Sequence, residues 1–347
     1  MIITYFRSSS YNTHSMCEQQ FFSEYVLGIR GPSGQKAVKG TVTHKVLEIL
    51  AVIKKAQQDN INEIDDDILG KINIKKYNLN SMIEKVYKYY EAAESHHKWS
   101  IKDYKDCHAW VMKAITDYGA KFDPRNQDIV LPEQHFDIVI NKPWAKYSYD
   151  TSNGKLEGNL AIKGTIDLIT KADDNTLEII DYKTGRRLDW ATGEEKTLDK
   201  LQNDPQLRIY HYAVSSLYPE YDHIICTIYF INDGGPFSIC YDKSDLPQTE
   251  NMLRKKFETI KQTQVPKLSK SWKCTKLCHF GKTTFENSHV LPILEYRDGQ
   301  VCSKDSYMTK CEQIKHDIEV KGVNNVIDEY TPSGHTIGHY KAPGSVE

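Results

Sequence analysis

The stretch that decides the fold is GTIDLITKADDNTLEIIDYKTG, residues 164–185. It spans most of two short runs rich in β-branched residues, Ile162–Ile169 and Leu177–Lys183, separated by Asp173, Asp174 and Asn175. Such residues favour strands, and an Asp-Asp-Asn cluster between two strands favours a tight turn, so the segment reads as a β-hairpin. Side chains alternate along a strand, which puts Asp181 and Lys183 on one face of the second strand and lets Asp167 converge on them from the first. Two carboxylates and a lysine beside apolar strand residues are costly unless they bind something. Carboxylates suit a hard divalent ion such as Mg²⁺ or Mn²⁺. A lysine beside them can orient or activate a water and stabilise charge developing on a phosphate.

Outward from the hairpin, the pattern alternates between helix and strand periods. Upstream, apolar positions at Val42, Val46, Leu47, Leu50, Ala51 and Ile53 predict an amphipathic helix over 40–57, opened by Thr41 or Thr43. Residues 59–126 are lysine-rich with helical periods in MIEKVYKYYEAAES and WVMKAITDYGAKF, and read as a helical insertion. The strand period begins at Asp128 with DIVLPEQHFDIVI. Downstream come a helix predicted over 199–217, a second hairpin over 223–242 and a helix opened near Ser244 or Asp245. After Pro266 the pattern reads as loop, with several cysteines, and the last residues as a disordered tail. The expected segments are therefore 1–58 (N-terminal segment and first core helix), 59–126 (insertion), 127–266 (core), 267–330 (Cys-rich region) and 331–347 (tail). The order predicts an α/β fold, a mixed sheet flanked by helices.

Composition narrows the alternatives. The chain has 347 residues, 39% hydrophobic and 27% charged, too apolar for a disordered chain and too polar for a membrane protein. Its longest apolar runs, Val46–Ile53 and Ile224–Ile231, fall short of the ~20 residues of a spanning helix. No basic segment followed by an apolar one opens the sequence, so the expected location is cytoplasmic, in a bacterium or a phage-infected cell, where eight cysteines stay reduced or bind metal. The net charge of −2 carries no global nucleic-acid signature, so binding to nucleic acid must rest on a local patch. Arginine occurs only eight times, and three copies, Arg186, Arg187 and Arg208, fall beside the hairpin's exit. Their planar forks suit phosphate.

Gly-x-x-Asp at 164–167 followed by Asp-Tyr-Lys-Thr-Gly at 181–185 resembles the PD-(D/E)XK nuclease superfamily, and more narrowly its RecB-like branch, which includes CRISPR-associated and phage exonucleases. His44 in Gly40-x-x-x-His44 and the pair Gln206-x-x-x-Tyr210 also match that branch, over roughly residues 1–280. Glu133 resembles the acid often found on the first strand. The resemblance implies a restriction-endonuclease-like fold and a metal-dependent DNA exonuclease of recombination, repair or replication. It implies that His44, Asp167, Asp181 and the Tyr182 carbonyl bind the divalent ion. Lys183 would position or activate water, and Gln206 and Tyr210 would brace the site or touch DNA. An endonuclease and a non-catalytic DNA-binding subunit are the alternative readings.

Many RecB-like exonucleases hold a [4Fe–4S] cluster with one cysteine before the core and three after it. Cys17, Cys274 and Cys278 match that arrangement, with Cys311 as the fourth ligand and Cys302 as the alternative. The spacing departs from the branch, whose C-terminal cysteines are compact. Structural Zn²⁺ on the same residues, with His279 a possible ligand, is the alternative. Cys226 and Cys240 read as strand-core residues, and Cys107 has no evident role.

Overall fold

In the computed structural model, residues 1–332 are described apart from 30, 153, 190–191, 277, 283–287 and 298–299. The chain begins with strand β1 (Tyr5–Phe6) and helices α1 (Ser8–Met16), α2 (Glu18–Phe21) and α3 (Gln35–Gln58). A small hairpin, β2 (Glu63–Asp66) and β3 (Gly70–Asn73), precedes α4 (Leu79–Ala93) and α5 (Ile101–Thr116). Strands β4 (Ile129–Val139), β5 (Lys146–Thr151), β6 (Gly154–Asn159), β7 (Ala161–Asp173) and β8 (Thr176–Lys183) follow. Then come α6 (Leu198–Gln202), α7 (Pro205–Leu217), β9 (His223–Phe230), β10 (Gly235–Asp242) and α8 (Leu246–Gln262). The last elements are α9 (Trp272–Lys276), β11 (Ser288–Arg297), β12 (Gln300–Thr309), α10 (Lys310–Lys321) and α11 (Val323–Tyr330). Among the described residues no helix is long and apolar enough to cross a membrane.

The central sheet is mixed. Its order is β1-β7-β8-β9-β10, with β4 also paired to β7. Strands β7 and β8 form the antiparallel hairpin, β8 runs parallel to β9, and β9 returns antiparallel as β10. Seven consecutive residues of β8, Thr176–Tyr182, are buried, the pattern of a central strand covered on both faces.

The chain divides into two units. One comprises 33–137 and 163–249, the other 1–32, 138–162 and 250–347. In the first, a single apolar cluster joins α3 (Val42, Val46, Leu50) to α4 (Ile83, Val86), α5 (Val111, Ile115) and the sheet (Ile180, Tyr229). The helical stretch after α3 thus shares its core with the sheet. In the second unit, buried Phe21, Phe22, Leu253, Phe257, Ile314 and Ile318 supply the apolar interior.

Two expectations are corrected. The helix predicted over 199–217 is two helices, because Asp204 caps a new one by accepting from Gln206 N at 2.8 Å and Pro205 occupies its first turn. The region after Pro266 is not loop-rich, since it carries the β11–β12 hairpin and the three helices α9, α10 and α11. The legible signal was the capping box at Thr309 and Glu312 that opens α10. The expected tail from residue 333 onward lies outside the described residues.

Candidate active site

The site belongs to the unit formed by 33–137 and 163–249. The register of β7 and β8 sets Leu168 opposite Ile180. Carried one residue further, it sets Asp167 opposite Asp181. Alternation turns Tyr182 away from them, where its hydroxyl donates to the Phe122 carbonyl at 2.7 Å in the core. The backbone of Tyr182 stays in the site, its N–H donating to Asp167 Oδ2 at 2.8 Å. The other oxygen of Asp167 lies 3.2 Å from His44 Nδ1, which α3 supplies.

Two glycines of the sequence motifs make this convergence possible. A Cβ on Gly40 would stand 2.8 Å from Thr184 Oγ1, so its absence lets α3 lie against the chain just past Lys183. A Cβ on Gly164 would stand 2.6 Å from the Phe136 ring, which in turn meets the Tyr210 ring edge-on at 6.2 Å.

Helix α7 braces the second carboxylate. Gln206 Nε2 donates to Asp181 Oδ1 at 2.9 Å and to the Tyr210 hydroxyl at 2.8 Å, and that hydroxyl donates to the Thr165 carbonyl at 2.8 Å. The spacing of four residues stacks Gln206 over Tyr210 on one helix face. Asp181 Oδ2 lies 2.6 Å from Lys183 Nζ as an ion pair, yet without the geometry of a hydrogen bond. Asp181 is 1% exposed, so this oxygen is a buried anionic donor lacking a directional partner. That is a position a bound cation satisfies.

The four groups titrate against each other. Burial raises the Asp181 carboxyl, and Asp167 adds to the rise against the pull of Lys183. Burial also disfavours charge on Asp167, but His44 and Lys183 outweigh it and hold that carboxyl below its ordinary value. Burial pulls His44 and Lys183 down, and the carboxylates outweigh it, leaving both above their ordinary values. Before metal binds, Lys183 is therefore an ammonium.

A carboxylate that sequence reasoning missed joins the site. Glu48 follows His44 by one helical turn, and both line a cavity of about 70 Å³ with Glu133, Asp167, Leu168 and Tyr182. Burial pushes the Glu48 carboxyl up to about 7, Lys45 opposes the rise, and the charge of Glu133 adds to it. Glu133, on β4, reaches this cavity from a left-handed backbone with φ of 43°. The overlooked signal was His44-x-x-x-Glu48, two ligand-type residues on one helical face.

The three arginines have different fates. Arg186 is exposed at the exit of the hairpin. Arg187 is engaged locally: it pairs with Glu195, donates to the Lys196 carbonyl at 3.0 Å and lies 4.4 Å from the centre of the Phe237 ring. Arg208 corrects the expectation of a phosphate contact. It is 3% exposed, its guanidinium 5.3 Å from the Tyr241 ring centre, because one residue beyond Gln206 and Leu207 the helix turns toward the sheet.

Cys17, Cys274, Cys278 and Cys311 all belong to the other unit and are free thiols. Cys278 and Cys311 are buried together with Phe280. Burial raises the Cys311 thiol, and the proximity of Cys17, Cys278 and Cys274 raises it further. Burial likewise raises the Cys278 thiol, and a cation would stabilise the thiolate form of both buried cysteines. His279 packs on Phe280, with ring centres 5.6 Å apart. The side chain of Cys302, the alternative ligand, lies outside the described residues. Cys226 is buried in β9 as expected, whereas Cys240 is exposed, a correction that follows from its place on the outer face of edge strand β10. Cys107 is buried in the α3–α5 core.

A family model described as the PD-(D/E)XK nuclease superfamily matches residues 8–282. No curated protein matches the chain. Among solved structures it is similar to Rai1 of Scheffersomyces stipitis at 10% identity and a TM-score of 0.20, covering 94% of this chain and 89% of that one. It is also similar to Rai1 of Candida albicans in complex with pU5–Mn²⁺, at 11% identity and a TM-score of 0.19, covering 95% and 83%. TM-scores this low carry no argument.

Proposed function

Since the chain belongs to the PD-(D/E)XK nuclease superfamily, we propose that it is a divalent-metal-dependent deoxyribonuclease of the RecB-like branch, an exonuclease acting on single-stranded or end-processed DNA in the cytoplasm of a bacterium or a phage-infected cell. The observation that carries this reading is the convergence of Asp167, Asp181 and Lys183 at one end of a buried hairpin, with His44 on one side and the Gln206–Tyr210 pair on the other.

The residues fit a hard cation. Asp167, Asp181, His44 and the Tyr182 carbonyl would hold Mg²⁺ or Mn²⁺, and Oδ2 of Asp181, with the Lys183 ammonium beside it as an ion pair, has lone pairs left for the ion. When bound, such an ion polarises the phosphodiester and makes water more acidic. The Lys183 ammonium, held beside Asp181 as an ion pair, would present its protons to the attacking water or to an equatorial phosphate oxygen and stabilise the charge gathering there. Gln206 and Tyr210 keep Asp181 in one rotamer through a closed set of donors and acceptors, so no side chain has to move as charge develops. Arg186, exposed at the hairpin exit, would contact DNA phosphate.

The same reading assigns Cys17, Cys274, Cys278 and Cys311 to a [4Fe–4S] cluster. Its support is their order along the chain, one before the core and three after it. Among the described residues no three of these sulfurs fall within 4.8 Å of one another. Tetrahedral zinc with Zn–S bonds of ~2.3 Å would draw them to ~3.8 Å. Iron and sulfide analysis of anaerobically prepared protein, with Cys311→Ser in parallel, decides between the metals.

The functional test is cleavage of linear single-stranded DNA, linear duplex, closed-circular DNA and RNA, with Mg²⁺ and Mn²⁺ supplied separately and Lys183→Ala in parallel. Loss of linear DNA alone, abolished in the variant while DNA binding persists, is the expected result. Lys183-dependent cutting of circles would make it an endonuclease. Cleavage of RNA alone would overturn the DNA assignment, and no cleavage at all would leave a binding subunit.

A further inference from the structure

We propose that Glu94, His96 and His97 form a second, separate metal site for a borderline divalent transition metal, with Zn²⁺ the fitting occupant, in the turn between α4 and α5. One ligand atom from each residue lies within 4.8 Å of the other two. Glu94 Oε2 is 3.5 Å from His96 Nδ1, and the two imidazoles are tilted at 42° with centres 4.0 Å apart. Two neutral imidazoles and a carboxylate match Zn²⁺, Ni²⁺ or Cu²⁺ and select against Mg²⁺, which prefers oxygen alone.

Two features distinguish this turn from a chance cluster of surface side chains. First, Nε2 of His97 is buried without a hydrogen-bond partner among the described residues. A ring nitrogen shielded from water and left unpaired is unfavourable in the free protein. Second, the backbone that presents the ligands is pinned. His97 N–H donates to the Glu94 carbonyl at 3.1 Å, as does the Trp99 indole at 2.9 Å. The Trp99 ring is held edge-on against Tyr87 at 5.7 Å and against His97 at 6.0 Å. Three donors on a fixed turn need little reorganisation to close on an ion.

The site has a structural consequence. Gln35 Nε2, at the head of α3, donates to the Lys98 carbonyl at 3.0 Å, and Lys39 pairs with Asp103 and Asp106 of α5 at 3.0 and 2.8 Å. A metal in the turn would therefore stiffen the anchorage of the helix that carries His44. The inference does not depend on the nuclease reading, because it rests on other residues and other donor chemistry.

The test is Zn²⁺ titration of the full-length protein by competition with a chromophoric chelator, on an Asp181→Asn background, which weakens the nuclease site, with and without His96→Asn/His97→Asn. Nickel and magnesium are run separately, and Ni²⁺ spectra report whether nitrogen or sulfur ligands are engaged. The expected result is loss of one Zn²⁺ equivalent, or at least a tenfold weakening of it, in the double variant, with the thiol-bound fraction unchanged. Zn²⁺ beyond the thiol-bound fraction should also raise the unfolding temperature of the parent and not that of the variant. Glu94→Gln provides a second variant should the double one fold poorly. Equal stoichiometry and affinity in parent and variants, uptake confined to sulfur ligands, or equal binding of Mg²⁺ would overturn the proposal.

Discussion

Removing the Lys183 ammonium while keeping the bulk of its stem, as in Lys183→Met, separates its electrostatic role from packing. The Asp181 carboxylate is 1% exposed, and its Oδ2 has the ammonium 2.6 Å away. Truncating one member of a buried ion pair costs about 3–5 kcal/mol, because the remaining charge is left uncompensated. Lys183 is 32% exposed on its side chain, so water replaces part of the lost interaction and the lower end, about 3 kcal/mol, applies. At roughly 2 °C per kcal/mol for a chain of this size, the unfolding temperature in chelator should fall by about 6 °C at alkaline pH. The loss should shrink in acid. Burial already raises the Asp181 carboxyl, and removing the lysine raises it further, so the variant neutralises its buried charge earlier than the parent as pH falls. Lys183→Met/Asp181→Asn should regain most of the stability, since neither charge remains. Cleavage should fall by about 10²–10³ in both variants, the usual loss when a positioned electrostatic donor is removed. Scanning calorimetry over pH and single-turnover cleavage measure the two effects. A Lys183→Met protein that melts with the parent at alkaline pH, or that cleaves at the parent's rate, would refute the reasoning.

Gly164→Ala should destabilise the protein by about 1–3 kcal/mol by driving a Cβ into the Phe136 ring, and Phe136→Leu in the same chain should recover part of it, read by thermal denaturation. Glu48, pushed up to about 7 from 4.5, holds its proton more tightly folded than unfolded, so metal-free stability should fall as pH rises through that window and level off above it. Glu48→Gln should flatten this slope and, at alkaline pH, gain up to about 2–3 kcal/mol, less whatever its pairing with Lys45 contributes; a parallel profile in the variant would reject the assignment. Arg186→Gln should lower the salt slope of DNA binding by about 0.7–0.9, measured by anisotropy in Ca²⁺. Arg187→Gln should instead lower the unfolding temperature and leave that slope unchanged, because its guanidinium is spent on Glu195 and Lys196.

The hairpin and its carboxylates were legible because the information is local: a turn cluster and two alternating runs fix which side chains share a face. The Gln206–Tyr210 pair was legible for the same reason, through helical spacing. What escaped reading depends on which way a helix is turned in three dimensions. Arg208 sits between two site residues in sequence yet packs on Tyr241, since intermediate positions of a helix point elsewhere. Glu48 had the right spacing from His44, but an acid after a helical histidine is ordinary until Glu133 arrives beside it from a distant strand. The β11–β12 hairpin was hidden because its runs mix charge with apolar residues and carry a proline at Pro292, which masks the strand period.

The order of the site's parts along the chain bears on synthesis. Helix α3 with His44 leaves the ribosome first, the two hairpin carboxylates follow more than a hundred residues later, and Gln206 and Tyr210 come last. Translation runs from the N-terminus at roughly 5–20 residues per second, so the histidine waits several seconds for its partners. Until α7 has emerged, Asp181 lacks the amide and hydroxyl that hold it, and the nascent chain carries metal donors without a braced arrangement of them. The nascent chain would thus stay inert until α7 has emerged, with the elements from β9 to α11 still to follow.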